Sequence, residues 1–212
     1  MPTRGKLHDY LHTIRQKERL TAEEAEHLLA MLNEHPCDAN IYLTVIDVAW
    51  RNRYHNVGFE DWQIYYAQAC DKAESCWSPR QQARIDLLAS ALYFNDEQDE
   101  LAAATAQLAY QNDPDNPGII RYYLDLAIRF LSLPDNELDT VTDRLVVLTS
   151  PDDANEQHQL GCYFQRLWAL TSMTRFRYHA AACYQRALEL GLHKSLAAEA
   201  RQGLAALNMP TE

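Results

Sequence analysis

Apolar residues recur along the chain at helical spacing, and turn signals cut the pattern into segments of similar length. Thr21-Ala-Glu-Glu24 has the spacing of a capping box, so a helix is predicted to start there; Leu28, Leu29 and Leu32 continue it as far as His35-Pro36. Asp38 is placed to cap the next helix, whose apolar positions are Ile41, Val45, Ile46, Val48, Ala49 and Trp50. The same punctuation returns three times. Ser78-Pro79 precedes Ile85, Leu88 and Leu92; Asp113-Pro114-Asp-Asn-Pro117 precedes Ile120, Tyr123, Leu124 and Ala127; Ser150-Pro151 precedes a third run.

Pro36, Pro79, Pro114 and Pro151 are separated by 43, 35 and 37 residues. Each interval has room for two helices and one break, and the breaks fall at Asn56-Val-Gly58, Asn95-Asp-Glu-Gln98 and Leu133-Pro134-Asp-Asn136. A fourth unit ends near Gly191-Leu-His193. The predicted organisation is a single domain over residues 1–212: an N-terminal helix pair in 1–36, repeat units in 37–194 and a capping helix in 195–212.

Composition agrees with helices throughout. Alanine and leucine supply 28 residues each, against 6 valines and 8 isoleucines, and only 6 glycines and 8 prolines occur in 212 residues. The fold class expected is all-α. A net charge of −11 makes attraction to nucleic acid or to an anionic bilayer unfavourable, so neither is expected as a partner. No apolar run approaches the roughly 18 residues of a membrane span, and the polar stretch Met1 to Lys6 does not read as a secretory signal. Five cysteines without CxxC spacing then predict reduced thiols in a cytoplasmic protein.

The segment from Leu101 to Pro117 resembles the second helix of a tetratricopeptide repeat, with Ala102, Ala106 and Ala109 at its small positions and Pro114 closing it. Ser90 and Tyr93 stand where the first helix of that repeat carries a small residue and an aromatic. In the last unit Ala180, Tyr184, Ala187, Leu188 and Leu190 match the second helix again; in the unit before Pro79, Ala67 fits whereas Asp71 and Glu74 depart from the pattern. The resemblance implies a degenerate α-solenoid, a right-handed superhelix of antiparallel helix pairs; a non-repeat helical bundle would use the same small residues.

Catalytic signatures are missing. The glycines lie at least twelve apart, so no GxGxxG, phosphate-cradling loop or GxSxG elbow exists, and no histidine is followed by glutamate as HExxH requires. Asp113 to Leu124 begins like a calcium loop but lacks the bidentate carboxylate at its end. His8 and His12 share a helix face without a third ligand, and Cys70 and Cys76 are six apart, too far for a redox pair. The carboxylates Asp96, Glu97, Asp99 and Glu100 read as the acidic start of a helix. Neither a metal nor a cofactor is expected.

Laying the repeat pattern on the chain puts Asn40, Leu43, Asp47 and Trp50 on the inner face of one unit, Arg84, Leu87, Ala91 and Phe94 on the next, and Arg121, Asp125 and Ile128 on the third, with Arg166 continuing the row. Arginines and aromatics are what binding hot spots favour. The expectation is a non-enzymatic scaffold or adaptor that holds a protein or peptide partner in a concave groove through Asp47, Trp50, Arg84, Phe94, Arg121, Asp125 and Arg166. In the plainer alternative Trp50 and Phe94 are core and the arginines are surface charge. Two other functions fit the same sequence: an acidic cytoplasmic chaperone for a secreted protein, and an enzyme whose site is assembled from scattered residues.

Overall fold

Thr21 opens its helix as its spacing requires. Its hydroxyl accepts from the Glu24 backbone at 3.2 Å while Glu24 Oε2 accepts from the Thr21 backbone at 3.0 Å. Asp38 caps through Asn40 N at 2.9 Å, Ser78 and Gln81 form a second capping box, and Asn116 and Asp153 cap the helices after the two later proline turns. The computed structural model describes residues 4–55, 57–131 and 133–207, and among these residues it has eleven helices and no strand. They are α1 (Arg4–Gln16), α2 (Ala22–Glu34), α3 (Ala39–Arg51), α4 (Trp62–Cys76), α5 (Pro79–Asn95), α6 (Asp99–Asn112), α7 (Pro117–Phe130), α8 (Asp135–Leu148), α9 (Ala154–Thr171), α10 (Thr174–Glu189) and α11 (Lys194–Leu207).

The breaks fall where the pattern put them. Gly58 takes φ 95° between α3 and α4, Glu97 takes φ 59° between α5 and α6, and Gly191 takes φ 90° between α10 and α11. One further break is not announced by the sequence: α9 ends on Ser172 in the left-handed region at φ 56°, without the Asn-Asp pair that precedes Glu97 and with neither glycine nor proline beside it. Asn56 belongs to a predicted break and lies outside the described residues.

The chain divides into two units, residues 1–131 and 132–212. In the first, α1 and α2 both pack on α3, α3 packs on α4 and on α5, and α5, α6 and α7 follow in sequence. Its core joins Leu28, Ile41, Val45, Ile46, Trp62, Ala69, Ile85 and Ala89, all buried. Ala102, Ala106 and Ala109 on α6 are wholly buried, and the Ser90 hydroxyl donates to the Ala102 carbonyl at 2.6 Å, a contact that only small side chains permit between α5 and α6. In the second unit α10 packs on α9 and α11, and α11 returns to α9. Phe164 and Phe176 stack at 6.2 Å in its core. Arg175 on α10 pairs with Asp135 and Asp139 on α8.

One expectation fails on the cysteines. Cys37 and Cys76 form a disulfide, and Cys70, Cys162 and Cys183 are free. The Trp77 indole donates to the Cys37 carbonyl at 2.8 Å and packs edge-on against Tyr42, which holds the α2–α3 turn against the end of α4. The Cα atoms of Cys37 and Cys76 are thereby 5.3 Å apart, inside the range a disulfide spans. The α2–α3 turn and the end of α4 meet with the two cysteines 39 residues apart in sequence, and no local spacing announces it.

Candidate functional site

Side chains four apart on a helix share a face, so Leu43 and Asp47 on α3, and Arg84, Leu87 and Leu88 on α5, point to one side of the packed pair. With Arg15 from α1 they line a cleft of about 300 Å³. Its floor is aliphatic and its rim is cationic. Arg15 is anchored, Nε donating to Thr44 Oγ1 at 2.9 Å and Nη2 to the Asn40 carbonyl at 3.0 Å. Arg51, just behind, pairs with Asp47 at 2.8 Å and donates to the Lys17 carbonyl at 2.6 Å.

Arg84 differs from both. It is exposed and makes no hydrogen bond or ion pair among the described residues. Three guanidinium groups therefore gather around one carboxylate. Burial pushes the Arg15 pKa below its ordinary value; the attraction of Asp47 opposes that shift and repulsion from Arg84 and Arg51 adds to it. The cleft is thus a local concentration of positive charge, half apolar, in a chain of net charge −11.

Of the row drawn from the sequence, the structure brings together Leu43, Asp47, Arg84 and Leu87. Trp50 is half-buried and turned elsewhere: its indole donates to Asp96 Oδ1 at 3.0 Å, beneath the Arg53 guanidinium at 4.0 Å. Trp62 donates to the other oxygen of Asp96 at 3.3 Å and Arg53 pairs with the same carboxylate at 3.4 Å, so Asp96 is a tether between α3, α4 and the end of α5. Phe94 is 39% exposed and meets Phe130 at 6.4 Å. Arg121 and Asp125 are half-buried on α7. Arg166 belongs to the second unit, where it is exposed with its guanidinium 5.3 Å over Tyr163.

The inner row read from the sequence holds neither Arg15 nor Leu88: Leu88 lies one turn beyond Arg84 in the apolar run with Ile85 and Leu92, whereas Arg15 lies on a helix outside the repeat pattern, so only packing of α1 on α3 reveals it. His8 and His12 are both exposed on α1. Among the described residues no three His, Cys, Asp or Glu side chains converge as donors to a metal.

No protein-family model matches the chain, and no curated protein sequence matches it. Fold and site together define an all-α protein of consecutively packed helices with a cationic cleft between α1, α3 and α5. None of its described helices is long and apolar enough to cross a membrane.

Proposed function

We propose that this chain is a non-enzymatic interaction module, a scaffold or adaptor built from tetratricopeptide-like helix pairs, whose α1–α3–α5 cleft receives an acidic segment of a protein partner. The observation that carries the reading is Arg84, a guanidinium without a hydrogen-bond or ion-pair partner among the described residues, lining one cleft with Leu43 and Leu87. Arg84 would take a carboxylate in a bidentate pair while the leucines cover a neighbouring apolar side chain. Packing of α1 on α3 and of α3 on α5 supports the repeat reading, because first helices of successive pairs line the binding face of such arrays. The reading includes a cytoplasmic setting, against which the Cys37–Cys76 bond weighs.

The test is capture from native lysate with the parent protein, Arg84→Glu and Arg166→Glu, compared by quantitative mass spectrometry. A partner retained by the parent and by Arg166→Glu but lost by Arg84→Glu supports the cleft. Identical captures from all three proteins refute it.

A further inference from the structure

The second unit holds a separate cluster. His158 and Cys162 are four apart on α9, and Cys162 Sγ lies 3.8 Å from His158 Nε2. Glu199 on α11 brings Oε2 to 3.8 Å from the same nitrogen. His158 is 5% exposed, whereas the Cys162 side chain is open to solvent. Both line a cleft of about 510 Å³ with Asn155, Gln159 and Leu196. The thiol and the carboxylate both approach Nε2 of one buried imidazole, so a proton leaving the sulfur has a base within reach and an anion beside the nitrogen that receives it, with an opening through which a reagent can enter.

The other two free thiols have no such setting. Cys183 is buried, and burial pushes its thiol up to about 12. Cys70 is exposed at the surface, but desolvation and the charges of Asp86 and Asp71 raise its pKa against hydrogen bonds with Tyr66 and Gln82 that lower it. Tyr184 closes the inner side of the cluster, its hydroxyl donating to Gln165 Oε1 at 2.6 Å.

We infer that Cys162, served by His158, is a thiol-modification site that undergoes exchange with low-molecular-weight disulfides entering the α9–α11 cleft. The Cys162 thiol passes its proton to His158 Nε2 and its sulfur attacks one sulfur of the incoming disulfide. The S–S bond of the reagent breaks, and the departing thiolate takes the proton from His158. Cys162 ends oxidised in a mixed disulfide, and the released half of the reagent ends reduced as a thiol. The Glu199 carboxylate, 3.8 Å from the nitrogen that receives the proton, favours the imidazolium through its charge. The Asn155 and Gln159 amides offer hydrogen bonds to a reagent with a peptide-like frame, and Leu196 covers its carbon chain.

The probe is glutathione disulfide, added to the folded protein, with adducts at each cysteine followed over time by peptide mass spectrometry. Cys162 is expected to be modified at least about tenfold faster than Cys70, the reference thiol within the same molecule. His158→Gln should remove about that factor at Cys162 and leave the Cys70 rate unchanged. Because His158 is buried, the exposed Glu199→Gln is the second variant, expected to slow Cys162 severalfold with the circular dichroism spectrum preserved. Equal rates at Cys162 and Cys70 in the parent protein overturn the inference without any variant. An unchanged Cys162 rate in folded Glu199→Gln and His158→Gln removes the assisting role of the imidazole and overturns it equally.

Discussion

The ring of Tyr184 passes so close to Gly203 that a Cβ on the glycine would stand 2.6 Å from Tyr184 Cε2. Gly161 on the neighbouring α9 meets the same ring, where a Cβ would come within 2.7 Å of Cδ1. Two glycines on two helices thus make room for one aromatic of α10, and a ring displaced from one is limited by the other. Gly203→Ala gains about 1 kcal/mol of helix propensity but forces an overpacking that costs about 1–3 kcal/mol. The net expectation is destabilisation of about 1 kcal/mol, read by urea denaturation, and a larger loss for Gly161→Ala combined with Gly203→Ala. A variant as stable as the parent would show that the ring moves freely.

Asp86 is 1% exposed, accepts from Tyr66 and Gln82 on Oδ1 at 3.0 and 2.8 Å, and from Asn112 on Oδ2 at 3.0 Å. Burial outweighs these three donors and raises the carboxyl above its ordinary pKa. The folded protein then holds the proton more tightly than the unfolded chain, whose Asp titrates near 3.9. Stability from this group is greatest below the unfolded value and is lost as pH rises through the raised folded value. The stability difference between the parent and Asp86→Asn should therefore fall as pH increases from about 4 towards 7. A difference that is flat or grows over that interval would contradict the direction of the shift.

With Cys37 bonded to Cys76, thiol titration of the denatured, unreduced protein should find three reactive groups, and five after reduction. The bond closes a sequence separation of 39 residues. Opening it by Cys37→Ser with Cys76→Ser should cost about 2–4 kcal/mol. Five reactive groups before reduction would mean that the bond is absent.

Much of this fold is legible locally, because caps and breaks act over three or four residues. Thr21 with Glu24, Asp38 and Ser78 announce their helices by side chains that can satisfy nothing else at that spacing, and Gly58 and Gly191 supply backbone conformations that other residues avoid. Ser172 does the same work without a signal, which is why the α9–α10 break is invisible in the sequence. The site is legible only as faces. Periodicity places Leu43 with Asp47 and Arg84 with Leu87, yet it cannot say that Arg15 from α1 completes the rim. Trp50 obeys the same limit: its orientation is fixed by Asp96, 46 residues away, and a helical period carries no information at that range.

The claim that the α1–α3–α5 cleft binds an acidic segment is tested most directly by titrating a captured and purified partner against the parent and Arg84→Ala, with melting temperatures measured alongside. A guanidinium paired to a carboxylate and desolvated in the complex is worth about 2–5 kcal/mol on truncation, so Arg84→Ala should raise Kd at least about thirtyfold. Because Arg84 has no hydrogen-bond or ion-pair partner among the described residues, the melting temperature should move by no more than about 2 °C. An unchanged Kd for Arg84→Ala would contradict the account.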